Sequence, residues 1–136
     1  MIVTTASGAA AVILGPSGER VRLRCLARRS MLMSPCESFD HLRLSPGARH
    51  AMPGQAEAET VLHVLRGSLL VGRSTGEPDH LAVDGDLLLA RRAVTLHLEA
   101  GPLGAELLCL TLAAPRGTAA TRKTLARRRA ERRTGP

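Results

Sequence analysis

Through the first 113 residues, apolar and polar side chains alternate in short runs, cut at close intervals by glycine, proline and serine. A period of two sends successive side chains to opposite faces of a strand. On this pattern strands are expected at about 10–14, 20–28, 38–44, 48–52, 58–66, 68–73, 80–83, 86–90, 93–99 and 105–113. The punctuation between them includes Gly15-Pro-Ser-Gly18, Ser45-Pro-Gly47, Ser74 to Pro78 and Gly101-Pro-Leu-Gly104. Many short strands at this spacing imply a sandwich or a barrel. No GxGxxG, Walker, GxSxG or HExxH motif and no long internal repeat accompanies them.

The same parity assigns faces. Val94, Leu96 and Leu98 share one face, and Thr95, His97 and Glu99 share the other, so the apolar set belongs inside. Thr60, Leu62 and Val64 likewise oppose Glu59, Val61, His63 and Leu65. Over 105–112 the alternation is less decisive, because Leu108, Leu110 and Leu112 fall with Glu106, against Ala105, Leu107, Cys109 and Thr111. His41 and Arg43 alternate with Leu42 and Leu44 and are expected to face solvent or a partner. The interior is expected to be apolar.

Two stretches carry a family resemblance. Leu44 to Val71 contains Pro46-Gly47 and Val64-Leu65-Arg66-Gly67, and Gly85 to Ala100 opens on Gly85-Asp86. Together, over about residues 40–112, they resemble the two sequence motifs of the cupin superfamily. The resemblance implies an all-β, cupin-like double-stranded β-helix, a jelly-roll barrel with a funnel for a small ligand. It also implies where a metal would be held. Counting back from Gly67 puts Thr60 at the glutamate position, and the paired histidines fall around Gly54 and Ala56. The histidine of the second motif becomes Leu96, while its customary proline and asparagine become Arg91 and Ala100. None of the four ligand positions holds a ligating side chain of the family, so neither a metal nor another cofactor is expected.

Composition narrows the reading further. A chain of 136 residues with 44% apolar content is one domain able to enclose a core. Phe39 is its single aromatic residue, which disfavours stacking recognition of single-stranded nucleic acid. Eighteen arginines against the lone Lys123 look like the composition of a GC-rich genome. The formal charge of +7 sits in one place: residues 116–136 hold eight basic residues and one acid, and the remainder is balanced at eleven of each. Two units are therefore expected, a barrel over 1–115 and a basic tail over 116–136. The run after Thr118 has helix-forming composition but few apolar residues. It reads as a solvated appendage, with docking on an acidic partner or packing on the barrel or a dimer mate as alternatives. Cys25, Cys36 and Cys109 are odd in number and widely spaced, which argues against a disulfide framework. No signal peptide or spanning run is recognised, and a cytoplasmic location is expected.

The chemistry-bearing candidates are few. His50 follows Ser45-Pro-Gly-Ala-Arg49, precedes Met52-Pro-Gly54, and could move protons near neutral pH. Glu57 is its candidate acid/base companion, and Arg91 could clamp an anionic group or simply occupy a solvated turn. Thr60, Leu62, Arg91 and Leu96 are the expected substrate-binding positions. An alternative metal set, Glu59, His63 and His97, would need a β-bulge to turn it inward and would push Leu62 and Leu96 out. The expected protein is a small-molecule-binding barrel, a metal-independent isomerase, cyclase or lyase acting on a largely apolar metabolite in a bacterial biosynthetic pathway. The alternative is a non-catalytic ligand-binding or sensor cupin working with a protein partner. A homodimer is expected, a membrane is not, and nucleic acid could be met only through the tail.

Overall fold

A computed structural model describes residues 10–31, 35–55, 57–73, 79–91 and 94–113. The expectations for the basic tail, Ala56 and Arg92 lie outside these residues. Eight strands and one 3-10 turn follow in order: β1 (Ala11–Leu14), β2 (Arg20–Arg28), the turn at Arg29–Met31, β3 (Cys36–Leu44), β4 (Arg49–Met52), β5 (Ala58–Arg73), β6 (His80–Val83), β7 (Leu87–Ala90) and β8 (Leu96–Ala113). Every pairing between them is antiparallel. The expected strand bounds hold at β2 and β6.

Two pairs of expected strands are fused instead. Residues 58–66 and 68–73 form the single strand β5, and the last two expected strands join as β8. Glycine bends these strands without ending their pairing. Leu69 is opposite Ala100, and only two residues earlier Gly67 is opposite Ala105, so β8 carries a multi-residue bulge there. Gly67 (φ 84°) and Gly104 (φ 78°) hold left-handed backbone at the bend. A Cβ on Gly67 would collide with the carbonyl oxygen of Gly104, and one on Gly104 would lie 2.6 Å from the carbonyl oxygen of Leu44. Side chains are excluded where the two strands fold over.

Both bends lie on one line of corners. The β3–β4 turn crosses it, since β3 pairs with the second half of β8 and β4 with the first half. The β6–β7 turn crosses it too, because β6 and β7 pair with β5 on either side of Gly67. Its Gly85 amide donates to the Val64 carbonyl (2.8 Å), and the Val64 amide donates to the Asp86 carbonyl (2.9 Å). The ribbon is thus folded into two layers. One layer contains β1, β2, β3, the second half of β8, the first half of β5, and β7; the other contains β4, the first half of β8, the second half of β5, and β6.

Between the layers lies one apolar core, to which both contribute. Leu42, Leu62, Val64 and Leu107 from the first layer and Leu69 and Ala82 from the second are 0% exposed. Each fully buried Leu or Val contributes about 1.5–3 kcal/mol relative to exposure. The undecided alternation in 105–112 is resolved here: Ala105, Leu107 and Cys109 face inward, and Leu108, Leu110 and Leu112 lie half-buried on the outer face with Glu106.

Candidate functional site

Paired residues on antiparallel strands share a face, so the register describes the barrel interior row by row. Nearest the bend, the first layer presents Val21, Leu44, Ala105 and Gly67, followed by Leu23, Leu42, Leu107 and Val64. The next row out is Cys25, Asp40, Cys109, Leu62 and Leu88. Beyond it Ser38, Thr111, Thr60 and Ala90 stand side by side. Thus the inner face passes from wholly apolar at the bend to hydroxyl-lined and acidic at the open end. Asp40, Ser38, Thr60 and Thr111 are half-buried. The expectation of an apolar interior is corrected at this end.

The opposite layer is apolar at the bend but mixes polar and apolar side chains beyond it. Ala100, Leu69 and Ala82 lie next to the bend, then His50, Leu98, Val71 and His80, then Met52, Leu96 and Arg73. His50 is half-buried, and burial holds its pKa below the ordinary histidine value. The ring is therefore neutral at neutral pH and can accept a proton. The rim beside it is fastened by the Gly54 amide, which donates to the Thr95 hydroxyl at 3.3 Å.

The remaining expected residues are scattered. Leu62 and Leu96 are inward and buried, and both belong to the packed core. Glu57 lies exposed in the turn entering β5, and Arg91 is exposed just beyond β7. Glu59 and His63 lie on the outer face of the first layer, opposite Leu112 and Leu108. His97 lies on the outer face of the second layer, between Ala51 and Gly72. The bulges of β5 occur beyond Val64, so they do not turn Glu59 and His63 inward. The alternative metal set is therefore split between two outer faces.

The family's metal positions do not fit a metal either. Thr60 and Leu96 occupy two of them, and among the described residues no group of three or more His, Cys, Asp or Glu side chains could hold an ion. The cysteines are free thiols. Burial, and then the charge of Asp40, pushes the Cys109 thiol up to about 12, so it stays protonated and acts as packing rather than as a nucleophile.

Asp40 is the inward group that a simple reading of the sequence misses. The signal is present: the alternation that puts Leu42 and Leu44 inside also puts Asp40 and Ser38 on their face. A strand read only for its leucines hides its acid.

No protein-family model and no curated protein matches the chain. Solved structures do. One described as a predicted oxalate decarboxylase from Thermotoga maritima superposes with a TM-score of 0.68 at 16% identity, covering 83% of this chain and 99% of that one. KdgF from a Halomonas species gives 0.61 at 13% identity, covering 82% and 94%. The Cnp3 cupin domain of Schizosaccharomyces pombe gives 0.57 at 12% identity, covering 68% and 61%. Such identities speak for architecture alone. With two antiparallel layers folded along one line of corners and these structures as its likenesses, the chain has the fold of the cupin superfamily.

Proposed function

We propose that this protein binds a small, largely apolar metabolite at the open end of its barrel and acts on it without a metal, as an isomerase, cyclase or lyase. The observation that carries the reading is the gradient of the inner face. Leu88, Ala90 and Met52, partly buried against the core, would meet the apolar body of a ligand, and Asp40, Thr60 and Thr111 would meet its polar end. Neutral His50 on the facing layer is the group best suited to take a proton, with inward Asp40 or the rim carboxylate of Glu57 as its counterpart. A pair of groups held on two facing strands supplies orientation as well as proton transfer.

The non-catalytic reading is favoured by a different feature, an apolar row on the outer face of the first layer. Leu89, Val61, Leu110 and Phe39 are opposite one another across four strands, and Leu89 and the neighbouring Leu87 are 62% and 65% exposed. This row also supports the expected homodimer, since sheet faces of this composition pack against each other. No helix among the described residues is long and apolar enough to cross a membrane.

The test is incubation of the purified full chain with a fractionated metabolite extract, followed by mass-resolved chromatography. An isomer of unchanged mass, or a lyase product with a defined mass loss, is expected with the natural chain and absent with His50→Gln. Retention of one metabolite by both proteins without any product would instead favour the sensor reading.

A further inference from the structure

The outer face of the first layer carries a concavity of about 590 Å³ at the bend. Its lining includes four arginines, Arg20, Arg22, Arg43 and Arg66, and one carboxylate, Glu106. The register explains how they meet. Arg22 is opposite Arg43, Arg43 is opposite Glu106, and Glu106 is opposite Arg66, so a single row crosses β2, β3, β8 and β5. Arg20 stands two residues from Arg22 on the same face of β2. Neighbouring strands lie about 4.8 Å apart, which places the row within reach of one small ligand.

The charge in this row is only partly compensated, since one carboxylate stands among four arginines. Glu106 is held by His41, whose Nε2 lies 2.8 Å from its Oε1. Elsewhere on the described surface Arg29 is paired with Glu37 and Arg49 with Glu99. Among the described residues no carboxylate lies within ion-pair distance of Arg20, Arg22, Arg43 or Arg66. Like charges directly opposite on adjacent strands repel, so Arg22 and Arg43 oppose each other, while Glu106 offsets Arg43 and Arg66 from the strand between them and leaves an excess of positive charge. The pocket is also shaped. Its floor is the bend itself, and its flanks are Val12 and Leu103, 53% and 91% exposed. Leu103 lies within the bulge of β8.

The geometry points to a ligand site here that takes the phosphoryl group of a small phosphorylated molecule, with Val12 and Leu103 against the ligand's apolar part. A phosphate monoester carries about 1.5 to 2 negative charges at neutral pH and a diphosphate more, with enough acceptor oxygens for several guanidinium forks, whereas a monocarboxylate would leave most of the row unsatisfied. The concavity is bounded by side chains and has the volume of a small-molecule pocket. No aromatic side chain lines it to stack a base, which sets it apart from a nucleic-acid groove. The site stands on different residues from the barrel mouth, so neither assignment depends on the other.

Calorimetric titration of the full chain with inorganic pyrophosphate in low-salt buffer tests it. One saturable event per chain is expected, weakened about tenfold or more in both Arg43→Gln and Arg66→Gln, unchanged in Arg49→Gln, and diminished by added salt. Without ligand, Arg43→Gln should melt within a few degrees of the natural chain, because the repulsion from Arg22 and the attraction to Glu106 that it removes oppose each other. No saturable binding would overturn the site. So would binding that survives Arg43→Gln and Arg66→Gln, which would belong to the basic segment 116–136. Succinate binding as tightly as pyrophosphate would overturn the phosphoryl assignment, and preference for an RNA oligonucleotide through the same arginines would overturn the small-molecule one. A large fall in the melting temperature of ligand-free Arg43→Gln would give the row a structural role instead.

Discussion

The two ends of the same strands differ more than the strands differ from one another. Close to the bend, β3, β8 and β5 contribute Leu42, Leu107 and Val64, each fully buried. Four residues further from the bend on β3, β8 and β5, the same face presents Ser38, Thr111 and Thr60, all half-buried. On these three strands the change from fully buried apolar side chains to half-buried hydroxyls falls within four residues. The bent end holds the layers together, and the other end of the same strands presents hydroxyls.

Replacing Leu107 with alanine should expose this contrast most strongly. A cavity at a fully buried position should cost about 2–5 kcal/mol in denaturant unfolding. A loss below about 1 kcal/mol would mean that the bent end is not the core. Gly104→Ala should follow, at about 1–3 kcal/mol, because the new Cβ meets the Leu44 carbonyl oxygen in left-handed backbone. A neutral result would show that the bend can relax.

The open end should respond to pH. Burial lowers the pKa of folded His50 below its unfolded value, so the unfolded chain binds more protons between the two. The stability of the natural chain is then full above the ordinary histidine range and is lost as pH falls through it toward the folded pKa. Compared with His50→Gln, its melting temperature should fall more steeply between about pH 8 and pH 5. Parallel curves would place His50 in solvent. The mildest change should be Thr111→Val, within about 1 kcal/mol of the natural chain, because the hydroxyl it removes is already half-solvated. If Thr111→Val cost as much as Leu107→Ala, the polar rows would have to be counted as core.

Much of the barrel was legible in the sequence. Alternation placed β2 and β6 at their observed bounds and set Leu62, Val64, Leu96 and Leu98 inward. Three things were not. The fusion of strands at Gly67 and across Gly101–Gly104 was hidden, since a glycine that bends a paired strand looks like one that ends it. Asp40 went unread on a face chosen for its leucines. The split of Glu59 and His63 from His97 was open as well, because parity is defined within a strand and says nothing of which layer the strand joins.

What this sequence determined by itself is local: which residues share a face, where the chain must turn, and which donors are missing from the family's ligand positions. Tertiary structure alone decided that Ala105, Leu107 and Cys109 rather than Leu108, Leu110 and Leu112 face the core. It alone brought Arg22, Arg43, Glu106 and Arg66 into one row. The physical reason is that a period of two carries only relative orientation along one strand. Absolute sidedness comes from the apolar area that the facing layer can cover, and convergence of charge comes from hydrogen-bonded register between segments up to 84 residues apart in the chain.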